Sequence, residues 1–209
     1  MVVGLSRLHF PVTTLGPGKR IGIWFQGCSI RCAGCLSPET WRFTRDKIAI
    51  DTLIEQIAPW YSQADGIIIS GGEPFDQPEA LSALLCAIRQ DFHGDVLVFS
   101  GYSLAAIGTH LNAMHGLIDA LVSGPFEQHS PQTMRLRGSD NQVLHRLTES
   151  GKTNFRDFDR PLNDEEKVLD MTIDGQGVVN LIGIPRRDDM TRLQAILQQQ
   201  GHHFAPITK

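Results

Sequence analysis

Two short runs constrain the fold of this chain more than any other feature: GIIIS at residues 66 to 70 and DVLVFS at 95 to 100. Strands that are apolar at nearly every position are buried on both faces, which is the situation of parallel strands covered by helices. GIWFQ (22 to 26) and LIDALVS (117 to 123) read as further strands of the same sheet. Between these runs the apolar residues switch to helical spacing, first at Leu53, Ile54 and Ile57, then at Leu81, Leu84, Leu85 and Ile88, then at Leu104, Ile107, Leu111 and Met114. Pro78 suits a first helical turn and Ser103 an N-cap. The β-α-β-α order predicts an α/β protein with a parallel sheet and right-handed crossovers, either open or curled into a partial (β/α) barrel. In both cases a ligand belongs at the C-terminal ends of the strands.

The chain has 209 residues, enough for a core that needs no staple. Lys and Arg number 19 against 23 Asp and Glu, a formal charge of −4, and no basic run interleaves with aromatics, so a nucleic-acid partner is not expected. The N-terminus lacks the apolar core of a signal peptide, and the chain holds no 18-residue apolar run, so no membrane partner is expected and the expected location is the cytoplasm. The polar stretch from 124 to 169 predicts long loops with a short helix near 141 to 147. LDMTIDGQGVVNLIGIP predicts a hairpin turning at Asp174-Gly175, and Met190, Leu193, Ile196 and Leu197 a final helix stopped by Gly201. The expected division is a core over 1–149 and an extension over 150–209 packed on the same domain.

Chemistry concentrates in GCSIRCAGCLSPETW, where Cys28, Cys32 and Cys35 fall at C-x3-C-x2-C spacing. A structural zinc site closes with four protein ligands, and here a fourth is missing. Cys86 sits in the helical run LSALLCAIR, as a buried small hydrophobe would, and His9 and His93 are not at finger spacing. Structural zinc, a redox group of thiols and an iron-sulfur cluster all remain open on spacing, with the cluster favoured. Three thiolates on a cubane of four irons leave one iron open to a substrate.

The C-x3-C-x2-C loop after an early strand, followed by SGGEP (70 to 74) at the end of the next, resembles the radical S-adenosylmethionine enzymes. GPGKR (16 to 20), FQGC, PETW, FSGY (99 to 102), LVSGPF (121 to 126) and RGSDNQ (137 to 142) are similar, in that order, to the activating enzymes of anaerobic ribonucleotide reductase. The resemblance spans about residues 8 to 147. It implies a [4Fe-4S] cluster on Cys28, Cys32 and Cys35, and S-adenosylmethionine as the second cofactor, held by Gly71, Gly72, Glu73 and Pro74. Reductive cleavage then gives methionine and a 5'-deoxyadenosyl radical, which abstracts hydrogen from a glycine of a large partner enzyme. A flavodoxin- or ferredoxin-like protein is the implied electron donor. Ser37 stands where relatives carry an asparagine that can face the cofactor, and Ser100 and Gly101 end a strand at the same rim. The short activases lack a tail like 150 to 209, which implies either a lid over the barrel mouth or part of a docking surface.

The remaining polar residues have plainer readings beside the functional ones. Gly71 and Gly72 serve a βα turn or let a ligand approach the backbone, and Glu73 could face the ammonium group of the cofactor. Ser100 either touches the ribose or, as Tyr102 could, caps the next helix. Asp119 interrupts an apolar strand and either faces water or needs a partner. Trp24, Trp41 and Trp60 read as core or anchors. Arg135, Arg137, Ser139, Asn141 and Gln142 form either a solvated loop or a docking surface for a protein partner or for the cofactor carboxylate. His145, His202 and His203 read as surface, and no catalytic side chain stands out. The same radical chemistry on a peptide or small molecule, a non-catalytic iron-sulfur electron carrier and a zinc-binding module stay open as alternatives.

Overall fold

A computed structural model describes residues 1–163, 166–173, 179–186 and 189–201. The chain begins with β1 (Val2–Val3) and β2 (Leu5–Val12), then β3 (Arg20–Phe25), and after the cysteine loop comes β4 (Ile48–Ala49), which pairs antiparallel with β1. Alternation follows through α1 (Ile50–Ile57), β5 (Gly66–Gly71), α2 (Pro78–Asp91), β6 (Asp95–Ser100), α3 (Leu104–Ala113) and β7 (Ala120–Ser123). The remaining elements are β8 (Val143–Arg146), α4 (Glu149–Asn154), the hairpin of β9 (Leu169–Ile173) and β10 (Val179–Gly183), and α5 (Asp189–Gln199). Six strands form one sheet in the order β2-β3-β5-β6-β7-β8, with β3, β5, β6 and β7 parallel and an antiparallel strand at each edge. β2 and β8 do not pair, so the barrel is partial, as the alternation predicts.

Alternation of side chains explains why the central strands are apolar throughout. Ile67, Ile69, Val96, Val98 and Leu121 pack with the apolar stripes of α1 to α3, chiefly Leu53, Ile57, Leu81, Leu84, Leu85, Ile88 and Ile107. Ile68 packs with Val12, Leu15, Trp24 and Ile182, and Leu97, Ala120, Val122 and Leu144 with Leu136, Phe155 and Phe158. Each fully buried aliphatic side chain contributes about 1.5–3 kcal/mol over exposure, and the second face collects its share from residues after 150. The helix punctuation is as the sequence predicts: Pro78 opens α2, and Ser103 caps α3 by accepting from the Ala106 N–H at 3.3 Å.

Several expectations need correction. Residues 117–119 precede β7 rather than belonging to it. The segment expected to be helical near 141 to 147 is strand β8, because only Leu144 faces the core there, opposite Val122, and edge pairing with β7 satisfies the backbone. β2 carries no clear period-2 signal, since its register shifts between Leu5 and Arg7 and again between His9 and Val12, with Pro11 tolerated on an edge strand. Cys86 is exposed rather than buried on α2. The hairpin forms, while its predicted turn at Asp174-Gly175 lies outside the described residues, as do His202 and His203. α5 ends at Gln199, and Gly201 follows with φ +82, the left-handed stop that glycine supplies. Among the described residues no helix is long and apolar enough to cross a membrane.

Residues after 147 attach to the far end of the sheet. Asp119, expected most simply to face water, is buried and accepts from the Arg89 guanidinium, the Val96 N–H at 2.8 Å and the Thr148 hydroxyl. Thr148 in turn caps α4, accepting from the Gly151 N–H at 3.1 Å, and Gly151 lies so close that a Cβ would sit 2.0 Å from the Asp119 carbonyl oxygen. Beneath the starts of β3 and β6, fully buried Arg20 pairs with Asp95, lies 5.4 Å from the Phe155 ring centroid and donates to the Pro17 carbonyl at 3.0 Å. Asn154 donates to the other Asp95 oxygen at 3.0 Å. The extension therefore closes the N-terminal ends of the strands, with β10 adding Ile182 to the sheet face.

Candidate active site

The C-terminal ends of β3, β5, β6 and β7 align through the register pairs Phe25 with Gly71 and Ser100 with Ser123, so the cysteine loop, SGGEP, FSGY and LVSGPF open on one rim, while GPGKR lies at the opposite end, before β3. The loop after β3 is closed at its stem, where the Gly27 N–H donates to the Thr40 carbonyl at 2.7 Å and the Cys28 N–H to that of Trp41 at 3.1 Å. Within the loop the Cys35 N–H donates to the Cys32 carbonyl at 3.2 Å. Arg31 and Gly34 both take positive φ, +52 and +74, which turns the chain tightly enough to present the cysteines from one short segment.

The glycines after β5 have a structural reason that the sequence reading assigned to a ligand. The Gly72 N–H donates to the Phe25 carbonyl and the Glu73 N–H to the Gly27 carbonyl, each at 2.8 Å, so the turn is zipped onto the stem of the cysteine loop. A Cβ on Gly71 would lie 2.5 Å from backbone atoms of Phe25, and one on Gly72 would lie 2.1 Å from the Gly27 oxygen. Both positions require glycine for this backbone approach alone. Pro74 is buried at the start of the short 3-10 turn Pro74–Asp76.

Glu73 points inward, at 1% exposure. Its Oε1 accepts from the Phe75 N–H and the Ser100 hydroxyl, both at 2.9 Å, and its Oε2 from the Gly101 N–H at 2.7 Å. Burial pushes the carboxyl up to about 7, against the pull of those donors. Ser100 thus serves Glu73 and the Tyr102 N–H, and neither Ser100 nor Tyr102 caps α3. Gly101 lies under Ile30 of the cysteine loop, 2.7 Å from where its Cβ would be.

A polar knot that no motif predicts joins the same three segments. Asp76 Oδ2 accepts from the Ser29 N–H at 2.6 Å, and Oδ1 from the Ser29 hydroxyl at 2.9 Å and the Tyr102 hydroxyl at 2.7 Å. Ser29 and Tyr102 hydroxyls are themselves 2.8 Å apart. The only sequence signal was an acidic residue two positions after the Gly-Gly-Glu-Pro string.

All four cysteines are free thiols, and the three of the loop are half-buried. Burial pushes the Cys28 and Cys32 thiols up, while backbone donors of Arg31 and Ile30 at Cys28 and of Phe126 at Cys32 pull the other way. The Ser37 N–H points at the Cys35 sulfur, 3.4 Å away, so Ser37 meets the loop through its backbone. Amide donors aimed at thiolate sulfur are what stabilises an anionic iron-sulfur centre. Among the described residues no group of three or more His, Cys, Asp or Glu side chains converges as a cage for a single metal ion. Three soft donors on one short loop, with amides at the sulfurs, fit an iron-sulfur cluster.

The five residues expected at a docking loop are largely turned inward. Arg137 and Ser139 are buried, Arg137 pairing with Asp159 and Ser139 accepting from the Glu127 N–H at 3.0 Å. Gln142 accepts from the Gly138 N–H at 2.8 Å and donates to the Gly124 carbonyl at 2.9 Å, and Asn141 donates to the Pro125 carbonyl at 2.8 Å. Arg135 stacks over Phe158 at 4.1 Å. The loop is laced to itself and to the extension, and its neighbour Gln128 packs at Gly34 of the cysteine loop. His145, read as surface, is half-buried and lies 2.9 Å from the Ser123 hydroxyl. Trp24 is core, and Trp60 anchors β2 by stacking on Phe10 at 5.8 Å.

Fold and site define an iron-sulfur protein, and comparison with known proteins agrees: a family described as a 4Fe-4S single cluster domain matches residues 14–145. The chain is 31% identical over 152 residues to the anaerobic ribonucleoside-triphosphate reductase-activating protein of Vibrio cholerae, covering 67% of this chain and 96% of the relative. The protein of that name from Escherichia coli K12 is 33% identical over 149 residues, covering 66% and 96%, and that of phage T4 is 28% identical over 134 residues, covering 62% and 85%. Among solved structures, QueE from Escherichia coli aligns with a TM-score of 0.41 at 19% identity, over 48% of this chain and 53% of that one. The chain belongs to the family of anaerobic ribonucleoside-triphosphate reductase-activating proteins, enzymes of the activase type with a [4Fe-4S] cluster.

Proposed function

We propose that this protein cleaves S-adenosylmethionine reductively and uses the product radical to install a glycyl radical on a partner enzyme of the anaerobic ribonucleotide reductase kind. The observation that carries the proposal is the zipper between the Gly-Gly-Glu turn and the stem of the cysteine loop, which sets a three-thiol loop beside a glycine-rich turn at the open ends of parallel strands. Cys28, Cys32 and Cys35 would hold the cluster, and amides of the loop would stabilise their thiolates. When bound, the cluster supplies one electron to the sulfonium, so that one carbon–sulfur bond breaks to give methionine and a 5'-deoxyadenosyl radical, which takes a hydrogen atom from the glycine Cα. The rim formed by Gly71 to Pro74, Ser37, Ser100 and Gly101 would hold the cofactor. Glu73 acts there chiefly by fixing the ends of β5 and β6 relative to each other, rather than by reaching out to an ammonium group.

A protein substrate is supported by the relatives, which are named for activating the anaerobic ribonucleoside-triphosphate reductase. The electron would come from a flavodoxin- or ferredoxin-like donor. The test incubates reconstituted, reduced protein and S-adenosylmethionine with an anaerobic ribonucleotide reductase and looks for the glycyl doublet by electron spin resonance. A doublet that requires all components is expected. Cofactor cleavage without a radical on any protein, together with transfer of hydrogen label to a small metabolite, would replace the protein substrate with that metabolite.

A further inference from the structure

We infer that Asp76 is a positioning residue for the cluster-bearing loop, clamping it from outside the cysteine motif through Ser29 and Tyr102. The inference rests on the proposed placement of the cluster on Cys28, Cys32 and Cys35 and goes beyond it, since it assigns a role to a residue outside the motif. Between Gly27 and Ser37 the chain has no helix or strand and a single internal backbone hydrogen bond, from Cys35 to Cys32. It also holds Arg31 at φ +52, a conformation that non-glycine residues take only when their surroundings enforce it. Such a loop has much conformational entropy to lose, and a contact that holds it from outside the motif lowers that loss.

Asp76 is placed to do this. The amide it binds at 2.6 Å belongs to the peptide unit joining Cys28 to Ser29, so fixing it fixes the plane from which the Cys28 side chain departs. The second carboxylate oxygen gathers the Ser29 and Tyr102 hydroxyls, which ties the loop to the end of β6 as well. The three partners come from residues separated by 47, 26 and 73 positions, so the knot joins the loop to both strand ends, which Glu73 already ties to each other. A carboxylate satisfies all three donors at once. Asparagine can nearly do the same, because its oxygen accepts the Ser29 N–H while its amide donates to hydroxyls that turn their own protons away. Alanine cannot.

The test uses the full chain as Asp76→Ala, Asp76→Asn and Tyr102→Phe, with two measurements. In the apoprotein, hydrogen exchange at the Ser29 amide should be about 10-fold faster in Asp76→Ala, the lower end of what losing a charged acceptor gives at a partly exposed site, and near wild type in Asp76→Asn. In the reconstituted protein, release of iron to a chelator should be several-fold faster in Asp76→Ala and within about twofold of wild type in Asp76→Asn. Wild-type exchange and wild-type iron release in a folded Asp76→Ala variant would overturn the inference, as would an Asp76→Asn variant that behaves like alanine, since charge rather than position would then be the cause. Should Asp76→Ala fail to fold, faster Ser29 exchange in Tyr102→Phe supports the clamp and an unchanged rate overturns it. A wild-type protein that takes up no iron would sink the cluster assignment instead, and the exchange result would still decide the clamp.

Discussion

At their C-terminal ends the parallel strands carry loops held by backbone hydrogen bonds and partly exposed polar knots, whereas at their N-terminal ends they rest on a buried ion pair, two phenylalanines and a capped helix. Gly72 and Glu73 bind Phe25 and Gly27 through main-chain atoms, and Asp76 holds Ser29 at the solvent edge. Arg20 and Asp95 are both buried, Asp119 is buried against a partly exposed Arg89, and Phe155 is fully enclosed. Burial is where stability resides, and a rim that must admit a cluster and a cofactor cannot be buried in the same way. The two ends should therefore fail differently, the rim by losing the metal centre and the floor by losing stability.

The largest expected effect tests the rim. Replacing Cys28, Cys32 or Cys35 singly by Ala should abolish cluster assembly, read as iron and sulfide per chain, and leave the denaturant midpoint of the apoprotein close to wild type. Cys86→Ala, on the exposed face of α2, should hold about four irons. If Cys86→Ala lost the cluster, a ligand would have been misplaced and the rim would extend to α2.

Next comes the floor. Phe155→Ala should cost about 3–5 kcal/mol of unfolding free energy, and Asp95→Ala a similar amount, because it leaves the buried Arg20 charge without its partner. Both variants, purified anaerobically below their unfolding temperatures, should still take up iron and give the wild-type spin resonance of the reduced cluster. A floor variant that folds but cannot load iron would show that the two ends are coupled. A smaller effect belongs to the seam. Gly72→Ala forces a methyl against the Gly27 carbonyl, so about 1–3 kcal/mol is lost and the Gly72 to Phe25 hydrogen bond opens. That variant should weaken cofactor binding by calorimetry while retaining iron.

The same division marks what the sequence made legible. GIIIS and DVLVFS predicted buried parallel strands because both faces of each are apolar, and cysteine spacing located the rim because ligands to one centre must lie close along the chain. Edge elements were less readable. Four residues of β8 bury only Leu144, and β2 breaks its own alternation, so neither presents a period. Polar residues whose partners are distant in sequence were unreadable in principle: Asp119 meets Arg89, Val96 and Thr148, and Asp76 meets Ser29 and Tyr102, only once the strands are parallel. Glu73 had a motif that pointed to chemistry, yet its direction, inward to Ser100 and Gly101, depends on how β6 lies beside β5.

The smallest effect concerns pH and the two edge strands of the sheet. His145 on β8 lies beside Ser123, and burial first, then the nearby Arg137 charge, pull its imidazole below the ordinary value of 6.5. A histidine with a depressed pKa binds fewer protons in the folded state than in the unfolded one, so stability rises with pH through the window below 6.5 and is lost as the pH falls through it. The bond to Ser123 does not set the sign, because a hydroxyl can donate to neutral imidazole or accept from the charged form. His9 on β2 shifts in the same direction, chiefly through burial and despite the opposing pull of Asp170, so part of the acid sensitivity belongs to the other edge of the sheet. Urea midpoints of the apoprotein at pH 7.5 and 5.5 should therefore fall less in His145→Gln than in wild type, and less again when His9→Gln is added. Both imidazoles are only half-buried, so the differences should be small. An unchanged pH dependence in the double variant would mean that the acid sensitivity does not arise at the two edge strands.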